Sequence, residues 1–202
     1  MWQKVTVCDV FIYSDEALKS LYRFYYIRAM QLIEVNNVTS ASDFIKVNVL
    51  MNRNNPNYIQ PLDNEVNDVF DTSKNKNFKY GEVKRWILKD DNNKLIGRIA
   101  AFVHSQYINK GTEFATGGIG FFDCVNDNAA AKILFDAAKT WLQSNGMQAM
   151  DGPINFLDRD KWWGLMVEGF DIAPIYGMPY NPPYYEQLFE NYGFKNYYNQ
   201  YY

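Results

Sequence analysis

The sequence predicts an α/β fold with a mixed sheet, antiparallel in its first strands and centred on a strand–helix–strand unit. Three observations carry this. Strand-like runs over 82–89 and 94–104 flank the turn cluster Asp90-Asp-Asn-Asn93, the layout of a hairpin. Residues 129–144 place Ile133, Leu134, Ala137, Ala138, Trp141 and Leu142 on one stripe at helical spacing, between apolar runs at 116–125 and 147–154. Such a crossover joins parallel strands and is right-handed. The length, 202 residues with 48% hydrophobic and 21% charged, suffices for one domain with a real core and is short for two.

The elements follow in order. A short strand is expected over 5–13 and an amphipathic helix over 14–28, with Ser14 as its cap. Residues 30–35 alternate enough for a strand. Thr39 to Ser42 supplies N-cap candidates for a helix running through Phe44, Val47, Leu50 and Met51, and Asn54-Asn-Pro56-Asn closes it. A second helix is expected over 63–70, followed by a polar connection at 73–78. After the hairpin, 116–125 is a third strand. Asn126-Asp-Asn128 then starts the helix of 129–144, because Asn and Asp side chains accept from first-turn N–H groups. Asn145-Gly146 ends it with glycine at the left-handed position. The strand 147–154 completes the central unit. Residues 155–180 read as irregular, 183–192 as a short helix stopped by Gly193, and 194–202 as a last strand.

Composition excludes several functions. Lys+Arg 20 against Asp+Glu 23 gives a net charge of −3, so nucleic acid is not expected as a main partner. Two cysteines, Cys8 and Cys124, and one histidine, His104, exclude a disulfide scaffold, Cys-cluster or multi-His zinc sites and any pair of catalytic histidines; no metal is expected. No apolar run approaches the roughly 18 residues of a membrane span, so no membrane partner is expected. Asp9, Asp15, Glu16 and Lys19 interrupt any signal-peptide layout, which makes a cytoplasmic location the expectation.

Two stretches carry a family resemblance. Gly117-Gly-Ile-Gly-Phe-Phe-Asp-Cys-Val125 with the following 126–142 is similar to the central strand and cofactor-binding helix of the GNAT superfamily of acyl-CoA-dependent N-acyltransferases. Asn181-Pro-Pro-Tyr-Tyr-Glu-Gln-Leu-Phe-Glu-Asn-Tyr-Gly-Phe194 resembles that superfamily's late motif. The phrases at 97–102, 116–122, 150–156, 162–165 and 168–170 resemble a bacterial GNAT-like group whose members usually continue into a second such unit. The resemblance covers 30–202 as a single GNAT-like domain and leaves 1–29 as an N-terminal extension.

The resemblance implies an acyl-CoA, such as acetyl-CoA, as co-substrate. It places Phe122, Cys124, Val125, Asn126, Asn128, Ala129, Ala130 and Asn181 in cofactor binding, the strand edge pairing with pantetheine and the helix N-terminus facing pyrophosphate. The turn at 125–130 departs from the family pattern. It has no Gly, Arg or Gln, and Asp127 sits where phosphate is expected. A purely structural helix cap is the competing reading. The family's thiolate-protonating Tyr corresponds to Phe189, which cannot donate. Tyr185, one turn earlier, and Tyr192 are the substitutes, against a reading of both as packing aromatics.

For a base the candidates are Asp123, inside an apolar strand, and Asp151 at a strand end, each also readable as structural. His104 and Cys124 are weaker candidates, a half-buried ring and a small core thiol. The aromatic skew remains. Residues 161–202 hold 14 of the 35 aromatics. Trp162, Trp163, Phe170, Tyr176 and Tyr180 suit an acceptor pocket, with Asp158, Arg159, Asp160 and Lys161 as polar groups. Self-association or docking through 162–202 is the equal alternative. The expected function is transfer of an acyl group from acyl-CoA to a small-molecule amine. The alternative is a non-catalytic domain of the same fold that binds a ligand or a neighbouring domain.

Overall fold

The computed structural model describes the backbone of residues 2–8, and residues 30–106, 114–156 and 161–201. Twelve elements of regular structure build it. They are β1 (Trp2–Cys8), β2 (Gln31–Glu34), α1 (Val38–Asn52), α2 (Asp63–Val69), β3 (Gly81–Lys89), β4 (Leu95–His104), β5 (Thr116–Cys124), α3 (Asn128–Ser144), β6 (Ala149–Gly152), β7 (Leu165–Met166), α4 (Tyr185–Tyr192) and β8 (Phe194–Tyr201), with a 3₁₀ turn at Lys76–Lys79. The helix expected over 14–28 and the polar groups Asp158, Arg159 and Asp160 lie outside the described residues.

The fold is a mixed α/β sheet in the order β2-β3-β4-β5-β6-β1-β7, with β8 on β1. β2 through β5 pair antiparallel, and β5 and β6 pair parallel around α3, as the crossover requires. Residues 1–29, read as an extension, contribute β1 to this sheet. Thr6 pairs with both Gly152 of β6 and Asn196 of β8, so β1 has a neighbour on each edge.

Side chains alternate across the sheet and bury two clusters. Trp86, Leu88, Ile99 and Ile119 face α3 and α4, where Leu134, Phe135, Leu142 and Phe189 meet them. Ile87, Ala100 and Phe102 face the other way, onto Phe44 and Val47 of α1. The result is three layers, with α1 on one face and α3 with α4 on the other. Among the described residues no helix is long and apolar enough to cross a membrane.

Three local corrections follow from hydrogen bonding. The cap of α1 is Asn37, not a residue of 39–42. Asn37 accepts from the Ser40 N–H at 2.9 Å while Ser40 Oγ accepts from the Asn37 N–H at 3.2 Å, a reciprocal box that starts the helix earlier. The strand expected over 147–154 is shorter, β6 ending at Gly152 where a cis Gly152–Pro153 bond turns the chain. Within the irregular 155–180 stretch, Leu165–Met166 forms β7 against β1.

Candidate active site

The site lies where β5 and β6 part. β6 pairs with β5 only over Thr116–Gly118, and Ile154 N–H then donates to Ile119 O at 2.7 Å. The turning chain lies directly on Gly120, where a Cβ would come within 1.7 Å of the Ile154 carbonyl oxygen. Just beyond, β5 carries a bulge. Arg98 pairs with Asp123 and Ala100 with Gly120, so two residues, Phe121 and Phe122, oppose Ile99. Phe121 takes φ +49°, a conformation that is rare for an aromatic residue. Its ring meets Trp162, which has φ +48°, edge-on at 5.9 Å. Two residues in the left-handed region thus meet edge to face at the wall of the pocket that the parting opens.

That pocket encloses about 670 Å³, the space at its mouth included. Its floor is polar. Asp123, 2% exposed, accepts from Arg98 Nε at 2.7 Å, Asn48 Nδ2 at 2.9 Å and Tyr185 Oη at 3.0 Å. Arg98 also donates to the Phe44 carbonyl at 3.0 Å, and its guanidinium lies over the Phe44 ring. Tyr58 donates to Asn48 Oδ1 at 2.6 Å and so joins the network through α1. Burial and the Asp123 charge push the Tyr58 phenol well above its ordinary value, and the same two causes hold Tyr185 higher than a free phenol. Both stay protonated donors at neutral pH. Arg85, stacked on Phe70 at 4.1 Å, has its pKa lowered to about 10 by burial and by the neighbouring Arg98 charge.

Among the acid–base candidates, Asp123 and Tyr185 come together in this pocket. Tyr192 does not. Its hydroxyl donates to Asp136 of α3 at 2.8 Å, and its ring sits on Phe135. Asp151 pairs with Gly118 in the β5–β6 ladder. His104 ends β4, buried beside Tyr80, with its pKa lowered by desolvation. The Cys124 thiol is fully buried and its pKa is raised by that burial, which keeps it protonated and un-nucleophilic. Phe189 fills an aromatic cluster with Phe122, Phe135 and Phe194.

The residues assigned to the cofactor divide. Phe122 lines the pocket and stacks on Phe135 at 4.6 Å. Cys124 offers neither backbone group freely, since its N–H donates to Tyr185 Oη at 3.0 Å and its carbonyl accepts from Tyr184 Oη at 2.8 Å. Asp127 caps α3 by accepting from the Ala129 N–H at 2.8 Å. Asn126, Asn128 and Ala129 are exposed around it, and Ala130 is buried in the core. Val125 and Asn126 line a second, shallower pocket with Arg53, Lys94 and Tyr184, and no carboxylate lines it. Asn181, 5% exposed, ties the late motif to β7, accepting from Met166 N–H and donating to Met166 O.

Of the acceptor-pocket aromatics, Trp162 and Tyr180 line the main pocket. Tyr180 donates to the Phe170 carbonyl at 2.9 Å. Trp163 is buried in the core, and Tyr176 is exposed, bonded to Glu65 and approached by Lys161. Asn48, Tyr58 and Arg98 were missed by sequence reasoning. Arg98 had a signal: it is the sole charge in the apolar run 95–103, and such a residue in a sheet covered on both faces needs a buried partner.

No protein-family model matches the chain, and no solved structure matches it. Two curated proteins do. The chain is 32% identical over 142 residues, 69% of its length, to Protein YghO of Escherichia coli (strain K12). It is 31% identical over 156 residues, 77% of its length, to the bacterial ceramide synthase of Caulobacter vibrioides (strain NA1000 / CB15N). These matches cover 35% and 40% of the relatives' own length, so the chain matches less than half of each curated protein.

Proposed function

We propose that the chain is a GNAT-like N-acyltransferase unit that moves an acyl group from acyl-CoA to an amine. The observation that carries this reading is the buried Asp123–Tyr185 pair, 3.0 Å apart, at the floor of a pocket opened by the parting of two parallel strands. A relative named a ceramide synthase supports it, because a ceramide is an amide made on an amine.

The proposed chemistry is direct. The amine nitrogen attacks the thioester carbonyl, the C–N bond forms, and the C–S bond breaks as the intermediate collapses. The proton leaving the nitrogen passes to Tyr185 as Tyr185 gives its own to Asp123, and the departing thiolate takes that proton back along the same path from Asp123 through Tyr185, so both groups end as they began. The nucleotide end of the co-substrate would need positive charge, which the 125–130 turn lacks. Arg53, at the end of α1, and Lys94, at the end of the hairpin turn, face the second pocket beside Asn126 and would supply it.

Titration of the full chain with acetyl-CoA by calorimetry tests the reading, followed by thiol release over a panel of amines. Binding in the micromolar range and amine-dependent release support it. Absence of binding at millimolar acetyl-CoA ends it. The expected weakening in Arg53→Ser with Lys94→Ser is about two- to fivefold per charge for CoA and none for pantetheine.

One observation favours the second reading, a non-catalytic domain serving ligand binding or domain–domain interaction. Tyr184 and Tyr185 already engage the backbone groups of Cys124 that a pantetheine arm would pair with. On that reading Tyr184→Phe leaves acetyl-CoA binding absent, whereas on the first it frees the carbonyl and tightens binding.

A further inference from the structure

Arg85 of β3 is half-buried, and among the described residues its guanidinium makes no hydrogen bond and no ion pair. It lies in the corner of two rings, 4.1 Å from the centre of Phe70 and 5.4 Å from that of Phe44, which themselves meet edge to face at 5.5 Å. Stacking holds a guanidinium by its face and leaves the N–H groups on its rim unused. The donors of Arg85 are thus fixed in one plane with no protein acceptor to donate to.

The charge around it is unbalanced. Arg85 opposes Ala100 and Ile87 opposes Arg98, so the two arginines are diagonal neighbours on the α1 face of the sheet, roughly 7–8 Å apart at the backbone. Arg98 lies over the same Phe44 ring at 4.8 Å. Its charge is matched by Asp123 at 2.7 Å, a carboxylate that also serves Asn48 and Tyr185. Acids on the flanking elements are taken as well. Glu34 of β2 pairs with Lys84, Asp43 of α1 with Lys89 and Asp68 of α2 with Lys74. Two arginines against one carboxylate leave this face with a positive charge to spare. A half-buried cation beside a like charge lowers stability until an anion offsets it.

We propose that Arg85 is the recognition group of a small-oxyanion site, which receives a carboxylate or a phosphate group edge-on in the corner of Phe44 and Phe70. Two parallel N–H groups of the fork donate to two oxygens of the anion, the bidentate geometry that suits both chemistries. The rings set the plane of the fork before the anion arrives, so little side-chain freedom is lost on binding. Arg85 lines neither the main pocket nor the one beside Arg53 and Lys94. Its corner backs onto the main pocket all the same, because Phe70 meets Phe121 at 5.0 Å and Phe121 is part of that pocket's wall. The site does not depend on the acyl-transfer reading.

The test is thermal unfolding of the full chain at neutral pH, in chloride and then with phosphate or acetate added at matched ionic strength. The expected result is a saturable rise in melting temperature, half-complete in the roughly millimolar range that so small a ligand can reach. At roughly tenfold excess over half-saturation the rise is about two to four degrees. Arg85→Met abolishes it. Arg85→Lys keeps the charge, loses the fork and weakens half-saturation about tenfold. Arg53→Ser with Lys94→Ser retains the rise. In chloride alone Arg85→Met is at least as stable as the wild type, since it removes an unpaired charge. A response to either anion supports the site. Acetate alone narrows the ligand to a carboxylate, and phosphate alone narrows it to a phosphate ester. No rise with either anion, or a rise that persists in Arg85→Met, overturns the proposal. A marked loss of stability in Arg85→Met in chloride alone also overturns it, because the guanidinium then serves only the aromatic corner.

Discussion

The Tyr185 hydroxyl bridges two neighbours in β5, donating to the Asp123 carboxylate at 3.0 Å and accepting from the Cys124 N–H at 3.0 Å. One phenol thereby holds α4 against the strand at the point where β6 has left it. Tyr185→Phe removes both bonds with little change in shape. The buried Cys124 N–H is then orphaned, which costs about 1–3 kcal/mol. Denaturant unfolding should show that loss, and acyl transfer should fall at least tenfold. Full turnover in this variant would rule Tyr185 out of the proton path.

Alkaline pH should dismantle the same region. Burial, with the nearby Asp123 charge, pushes Tyr184 up to about 12, and Tyr185 is raised well above a free phenol by full burial. Both phenols are held neutral in the fold while unfolded phenols ionise near 10. Their contribution is therefore whole below pH 10 and is lost as pH climbs through the folded values, since the unfolded chain then binds fewer protons. Unfolding free energy should drop between pH 10 and 12, and less steeply in Tyr184→Phe. Tyrosinate absorbance followed alongside should show a delayed class of phenols that appears with unfolding.

Arg98 and Asp123 should behave as a unit. They are 6% and 3% exposed at the side chain. Removing either partner alone leaves a buried charge uncompensated, at a cost of about 3–5 kcal/mol. Arg98→Met and Asp123→Leu should each approach that loss. The double variant should be no worse than either, which is the signature of coupling in a mutant cycle. Additive losses would mean that the pair is not coupled and that each residue acts through its other contacts.

Legibility in the sequence followed the range of the interactions. The hairpin turn, the α3 stripe and Gly193 at φ +112° are signalled within a few residues, so local pattern reached them. The α1 cap went to the wrong residue because Thr39, Ser40 and Ser42 all look like caps. Only the reciprocal bonds of Asn37 and Ser40 decide between them. β7, with two residues, is too short for any period to show. At the site, Asp123 and Tyr185 were singled out separately, one for a charge inside an apolar strand and the other for its helix position. Their contact depends on a separation of 62 residues that no local pattern encodes. Arg98 and Asp123 each stand as a charge in an apolar run, and pairing them across the β4–β5 ladder was within reach of the sequence. Tyr58 lies in a loop and joins only through Asn48, which left no trace to read.

The place of β1 has the largest consequence for stability. Its residues 6–8 pair with β6, residues 3 and 4 with β7, and its length pairs with β8. Residues 3, 4 and 6–8 thus have a strand neighbour on each edge, where backbone N–H groups find partners on one side or the other. Thr6→Pro removes one of those donors and places a ring in the ladder, a change that costs about 3 kcal/mol or more in a central strand. Deleting residues 1–8 should do more. It strips β6, β7 and β8 of a shared partner, and β8 has no other strand neighbour among the described residues. A fall in melting temperature of roughly ten degrees or more is expected for the deletion. The loss should extend to the pocket, because Leu165 of β7 is part of its wall and Asn181 is tied to Met166. An unchanged melting temperature, with ligand binding intact, would show that the sheet from β2 to β6 holds the site without β1.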